Sequence, residues 1–287
     1  MDIKPALEFS DRPFLVCKDH TVSGRFFELY KDEEYDLLGT FPRPEKDKLS
    51  EYYKSENYIS HTDSKESLFD KIYQLVKSYM LQKKMNWIQQ EKKSSGSILD
   101  IGAGTGDFLL KAKENNWEVF GVEPNSNARN LASKKGLELR EDSSEFENGK
   151  FDVITMWHVL EHVPDLEVQI KELKRLLKPD GLLVIAVPNF KSYDAKVYKE
   201  NWAAYDVPRH LYHFSQSSIS KIFGKFGFTL KFRKGLMFDS FYVSLLSEKY
   251  KSGKPNPVKG VFTGLISNLK AFSTGEYSSL VYFLKNS

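Results

Sequence analysis

Three glycines, Gly102, Gly104 and Gly106, alternate with Ala103 and Thr105 in the run 99–107, LDIGAGTGD. The run closes an apolar stretch and opens a helical one. Glycines there let the backbone approach a ligand where a side chain would collide. Several nucleotide folds use such a turn, so by itself it is weak evidence. The spacing narrows the choice. The dinucleotide fingerprint G-x-G-x-x-G needs a small third residue at 107, and Asp107 stands there. A carboxylate beside a diphosphate is unfavourable, which favours an adenosine ligand without one. Asp107 has a second reading, in which it only favours the positive end of the following helix. Glu123, at the end of the next apolar run, can accept both ribose hydroxyl protons. Asp100, just ahead of the turn, can hold an ammonium group.

A second set of candidates follows. His158, Glu161 and His162 share one face at i, i+3 and i+4. They read as ligands of a divalent metal, or as a general base (His158) for an acceptor hydroxyl. For Glu161 and His162 the third reading is satisfied residues of a helix start. We adopt that one, expect no metal, and place His158 on the acceptor side. Tyr205, Asp206, Arg209, His210, Tyr212 and His213 crowd one loop. Ligands of open α/β sheets bind beyond the carboxyl ends of the strands. The loop is therefore expected to meet an acceptor through Tyr205, Arg209 and His213, with His210 as the second candidate base. The alternative is a hydrogen-bonded lid with one residue in contact.

The elements that must position these residues alternate. SILDI (97–101), WEVFGVEP (117–124), LELRE (137–141), FDVITMW (151–157), LLVIAVP (182–188) and FTLKFRK (228–234) read as strands. Helical stretches separate them over 106–115, 126–135, 165–177 and 215–226. Such alternation, with apolar β-branched strands, implies a mostly parallel sheet covered on both faces. SSLVYFL (278–284) reads as a seventh, antiparallel strand that pairs with the sixth. Ahead of the core, Asp63 and Glu66 have capping-box spacing. Leu68, Ile72, Val76, Tyr79 and Met80 give a helix over 64–90 one apolar face. The expected organisation is an N-terminal extension (1–62) with a short strand at 25–30, a helix and linker (63–96) and a cofactor-binding core (97–234). A helical insertion (235–277) and a closing strand (278–287) complete it. The aromatics of the insertion read as core, as an acceptor wall, or as the interface of a homodimer.

Composition excludes several classes. Lys+Arg is 42 against Asp+Glu 39, a balance that offers no basic stripe for nucleic acid. No apolar run reaches the length of a membrane span or of a signal peptide. A single cysteine, Cys17, allows neither an internal disulfide nor a Cys-based zinc site, and fits a cytoplasmic protein.

Taken together, LDIGAGTGDFL, VEPN, FDVITMWHVLEHV and LLKPDGLLVIAVPN resemble the successive motifs of class I S-adenosylmethionine (SAM)-dependent methyltransferases over about 98–190. Within them, YDVPRHLYHFS (205–215) resembles a bacterial subgroup, methyltransferase type 23-like, found with surface-glycan and quinone-type enzymes. The resemblance implies a Rossmann-like sheet, SAM as cofactor and S-adenosylhomocysteine as product. By position, Asp100, Gly102, Ala103, Gly104 and Gly106 would line the methionyl and ribose side. Glu123 would hold the ribose, Pro124 or Asn125 would lie near the adenine, and Asp142 and Ser143 would flank its edge. Trp157 and His158 would face the sulfonium and the acceptor. Members of this subgroup often begin with a small zinc ribbon. Here Asp32 and Tyr35 occupy the ligand positions, which implies a degenerate ribbon without zinc. The expected reaction is methyl transfer (class 2.1.1.-) to a hydroxyl, or less favourably an amine, of a small-molecule or glycan acceptor. An NAD-dependent oxidoreductase and a non-catalytic SAM-binding module are the alternatives.

Overall fold

In the computed structural model, which describes residues 7–45, 48–53 and 68–286, the chain opens on a small antiparallel sheet. Its strands are β1 (Leu15–Lys18), β2 (Phe26–Asp32) and β3 (Leu37–Phe41). β2 turns Phe27 and Leu29 inward and Phe26 and Glu28 outward, the period-two alternation of a half-covered strand, and Asp32 is buried at its end. Next comes the long helix α1 (Leu68–Glu91). The expected capping box of Asp63 and Glu66 lies outside the described residues. The apolar face of α1 differs from the expected one. Tyr79 is exposed, Val76 and Met80 are half-buried, and the deeply buried contacts come from Met85 and Ile88 nearer its end.

The core then alternates as the sequence predicts. β4 (Ser97–Ile101), α2 (Asp107–Glu114), β5 (Glu118–Val122), α3 (Ser126–Lys134) and β6 (Phe151–Trp157) follow in turn. α4 (Leu166–Leu176), β7 (Leu177–Pro188) and the short α5 (Tyr193–Tyr198) come next. After β8 (Tyr212–His213) come α6 (Ser218–Lys225) and β9 (Phe228–Gly235). The hairpin α7 (Asp239–Ser252) and α8 (Pro257–Thr274) precedes the last strand, β10 (Ser279–Asn286).

The strand order is β5-β4-β6-β7-β10-β9. The first four strands run parallel, and β10 lies antiparallel between β7 and β9. It pairs with the sixth expected strand, β9, and also with β7. Both faces are covered. α4 and α6 place Leu166, Ile170, Leu173 and Ile219 on one side, against Ile154 and Ile185. α1 and α2 place Ile88, Phe108 and Ala112 on the other, against Val153 and Val184. That is why β7 is apolar from Leu182 onward rather than alternating. Each fully buried Leu or Ile is worth about 1.5–3 kcal/mol.

Among the described residues the sheet has six strands rather than the expected seven, because the expected third strand, LELRE, is not one of them. Of LELRE only Arg140 makes a bridge, to Val122, with its N–H on Gly121 O and its carbonyl accepting from Glu123 N–H. Leu137 is buried, but Glu138 and Arg140 are exposed, so the run has no second apolar face to hold a ladder. Residues 178–181, expected as a turn, lie within β7, where the register against β6 shifts. β8 joins the N-terminal sheet in the order β1-β2-β3-β8. No helix among the described residues is long and apolar enough to cross a membrane.

Candidate functional site

The glycine turn between β4 and α2 stands at positive φ, +70° at Gly102, +55° at Gly104 and +79° at Gly106. Side chains rarely adopt that region. The three positions differ in what surrounds them. A Cβ at Gly102 would lie 2.4 Å from Val159 Cγ2, and one at Gly106 would lie 2.4 Å from Leu137 Cδ1. Among the described residues, a Cβ at Gly104 would meet nothing within 4 Å. Two glycines therefore serve packing, and Gly104 opens a cradle. Glu123 fixes its rim: Oε2 accepts from Gly104 N–H and Oε1 from Asn125 N–H, both at 2.9 Å. Asn125 caps α3 through Ala128 N–H, and the carbonyls of Glu123 and Pro124 accept from Arg129. Asp107 is paired with Lys77 at 2.6 Å and Lys135 at 2.8 Å. Its charge is thus balanced by two lysines as well as by the helix start.

Asp100 is buried at the end of β4 and accepts from Thr155 Oγ at 2.6 Å. Burial pushes its carboxyl up to about 7, against the opposing pull of that hydroxyl and of the Lys84 ammonium. Burial also lowers Lys84, which Asp239 and Asp100 oppose. The Lys84 ammonium lies 4.1 Å over the Trp157 ring, a cation–π contact. The Trp157 Nε1 is buried without a hydrogen-bond partner among the described residues. Asp142 is exposed and accepts from Ser144, while Ser143 donates to Glu172 on α4 at 2.6 Å.

His158 follows β6 directly and carries a φ of +58°, a strained conformation for a non-glycine residue. Its N–H donates to Ala186 O. The half-buried ring lies between two carboxylates, with Nε2 3.1 Å from Asp239 Oδ2 and Nδ1 3.4 Å from Glu161 Oε1. Burial works against the imidazolium, but Asp239 and Glu161 outweigh it and raise His158 to about 9. Glu161 is buried, and among the described residues neither of its oxygens has a hydrogen bond. The surrounding histidines hold it ionised against its burial.

The loop 203–213 is engaged with the rest of the protein. Tyr205, Arg209 and His213, expected at the acceptor, are buried and engaged with protein. Arg209 forks onto Asp206 and reaches Asp19 of the N-terminal sheet at 3.3 Å. His213 Nε2 meets Thr40 Oγ at 3.0 Å, and burial drives its ring well below the ordinary histidine range. Tyr205 packs edge-on against Trp202 and His213. His210 is also mostly buried, with Nδ1 2.9 Å from Ala204 O. Its ring meets His162 edge-on at 4.6 Å, and His162 Nδ1 lies 3.1 Å from Arg209 O. Glu161, His162 and His210 each bring a ligand atom within 4.8 Å of the others. One carboxylate and two imidazoles are a donor set that suits a divalent ion.

The sequence reading missed Asp239, Lys84 and Thr155. Thr155 had a usable signal, since parallel pairing of β4 with β6 sets it opposite Asp100. Asp239 and Lys84 come from α7 and α1, and nothing in their local sequence marks them.

A family model described as a methyltransferase domain matches residues 69–231. A demethylmenaquinone methyltransferase of Staphylococcus aureus (strain MRSA252) is 33% identical over 118 residues, which are 35% of this chain and 49% of that protein. A ubiquinone biosynthesis O-methyltransferase of Actinobacillus pleuropneumoniae serotype 7 (strain AP76) is 31% identical over 156 residues, 46% of this chain and 64% of that protein. The chain spans about half the length of the first curated relatives it matches. Among solved structures, geranyl diphosphate C-methyltransferase from Streptomyces coelicolor A3(2) superposes with a TM-score of 0.53 at 13% identity. That match covers 80% of this chain and 89% of that one, and it speaks to the fold alone.

Proposed function

The chain belongs to the methyltransferase-domain family, and from that premise we propose that it transfers a methyl group from SAM to a hydroxyl of a small-molecule or glycan acceptor. The observation that carries the reading is the open cradle at Gly104, rimmed by Glu123 and floored by buried Asp100. SAM, when bound, supplies a methyl group on an already cationic sulfur. The chain's own residues then bind, align and exclude water. Glu123 accepts the ribose hydroxyls, the turn at 102–106 lets the backbone close on the cofactor, and Asp100 in its carboxylate form meets the cationic amino group. Pro124 and Asn125 lie on the adenine side. The half-buried Trp157 and His158 form the wall toward the acceptor.

His158 handles the acceptor proton as one unit with Asp239. Its neutral form takes the proton from the hydroxyl, and the Asp239 carboxylate stabilises the imidazolium that results. His210 stays the second candidate, held in the wall by Ala204 O. The relatives named for demethylmenaquinone and ubiquinone biosynthesis add quinone-type rings to the acceptor classes that fit. At the N-terminus, Asp32 accepts from the N–H groups of Glu8 and Tyr35, which supports reading the expected ribbon turn as closed by a carboxylate.

Calorimetric titration with SAM and with S-adenosylhomocysteine tests this reading. Both should bind, and Gly104→Asp or Glu123→Ala should abolish binding while the thermal transition stays cooperative. Absence of binding by the folded protein would remove the methyltransferase reading and promote the alternatives.

A further inference from the structure

Helix α8 is inside out. Its buried positions are Gly260, Thr263, Gly264, Ser267, Asn268 and Ala271. Its exposed ones are Val258, Val261, Phe262, Leu265, Leu269 and Phe272, each between 46% and 81% exposed. Both sets follow helical spacing, so each is one continuous stripe. A helix on a water-facing surface carries the opposite pattern, with the apolar stripe toward the core.

The inner face explains how α8 is held without apolar burial. A Cβ at Gly260 would lie 3.0 Å from Leu245 Cα, and one at Gly264 would lie 3.0 Å from Phe241 Cα. The backbones of α7 and α8 therefore approach as closely as glycine allows. Hydrogen bonds complete the seam. Ser240 Oγ donates to Gly264 O at 3.1 Å, Asn268 Nδ2 to Met237 O at 2.8 Å and Ser267 Oγ to Asp194 Oδ1 at 2.6 Å. Small residues four apart with polar bonds between them are how helices associate when their outer faces lie in lipid.

The charge around the stripe selects the occupant. Residues 249–275 contain five lysines (Lys249, Lys251, Lys254, Lys259 and Lys270) and no Asp or Glu, between Glu248 and Glu276; Lys259 pairs with Glu248 at 3.3 Å, which leaves four to face outward. All five are exposed. Pairing two copies through this stripe would set two basic rims against each other, whereas lipid phosphates complement one.

We propose that the α7–α8 hairpin docks the protein on the surface of an anionic lipid bilayer. The stripe over 258–272 enters the headgroup layer and the lysines meet lipid phosphates. Neither helix is long and apolar enough to cross, so α8 lies in the interface, about 5–10 Å deep.

The full chain can be floated with vesicles of phosphatidylcholine alone and of phosphatidylcholine mixed with phosphatidylglycerol. The bound fraction should be about tenfold or more higher on the mixed vesicles, and should fall as salt is added. Phe262→Ser/Leu269→Ser/Phe272→Ser should lose about tenfold or more. So should Lys251→Glu/Lys254→Glu, whose exposed sites put no folding at risk. Absence of binding to mixed vesicles, or equal binding to both kinds, would overturn the proposal. So would a wild-type dimer in sedimentation equilibrium that the apolar triple variant turns into monomer, since the stripe would then be an interface between copies.

Discussion

In the role proposed for Asp100, one proton joins the fold to the cofactor. Burial lifts it from 3.8 to about 7. A native pKa above the unfolded one means that this group's contribution to stability is full below about 4. It is lost as pH rises through about 7. A bound cationic amino group reverses the preference, because it needs the carboxylate. Cofactor binding below pH 7 must therefore expel a proton. SAM affinity should weaken by roughly tenfold per pH unit below about 7. Calorimetry near pH 6 should show heats that depend on the buffer's ionisation enthalpy. Asp100→Asn should remove both effects, and a SAM affinity flat across this range would show that Asp100 does not meet the cation. Much of this side of the site is legible in the sequence, because the turn carrying Gly102, Gly104 and Asp100 is contiguous and Glu123 closes the very next strand. The groups that tune Asp100 are less so, since Lys84 and Thr155 reach it only once α1 and β6 are packed against β4.

His158 depends on two elements at once. β6 ends in a left-handed residue whose ring points at the start of α7, where Asp239 waits 3.1 Å away. The pair holds His158 protonated up to about 9, so its base form, and turnover with it, should rise with pH through that value. Asp239→Asn should move this limb to lower pH with SAM affinity unchanged, because the largest opposing charge is gone. His158→Gln should abolish the limb and cost about 10²–10⁴-fold in turnover. A pH–rate profile shared by wild type and Asp239→Asn would count against the pairing. At this scale the sequence speaks where periodicity is long. Every β–α unit of the core was readable, but LELRE was over-read, since one bridging residue cannot be told from a strand by alternation alone. β8, two residues long, has no period to read. The hairpin is readable as a helical insertion, yet its facing is not, because α8 turns its small residues inward and its apolar ones out.

Arg209 ties the whole molecule together. Its guanidinium sits almost fully buried between Asp206 in the loop before β8 and Asp19 in the turn after β1, and it also donates to Tyr52 O. Beside it, Thr40 of β3 donates its N–H to Leu211 O and its hydroxyl to His210 O, and β3 pairs with β8. Lys191 and Ser215 both reach Asp36 from the core side. The loop 203–213 is thus held by the N-terminal sheet on one side and by the strand ends of the core on the other, so the two should unfold as one unit. Arg209→Met leaves half-buried Asp206 without its guanidinium, with only His210 Nε2 beside it at 4.0 Å. Asp19 loses less, because Thr21, Val22 and Ser23 still donate to it. Removing one partner of a buried pair costs about 3–5 kcal/mol. In a chain of this size that lowers the melting temperature by on the order of 10 °C. Far-ultraviolet circular dichroism and tryptophan fluorescence should trace one coincident transition in wild type and one lower transition in the variant. Asp206→Asn added to Arg209→Met should recover part of the loss, since the orphaned charge goes with it. Two separate transitions in wild type, or a variant within about 1 kcal/mol of it, would mean that the N-terminal sheet stands on its own and that Arg209 merely decorates the seam.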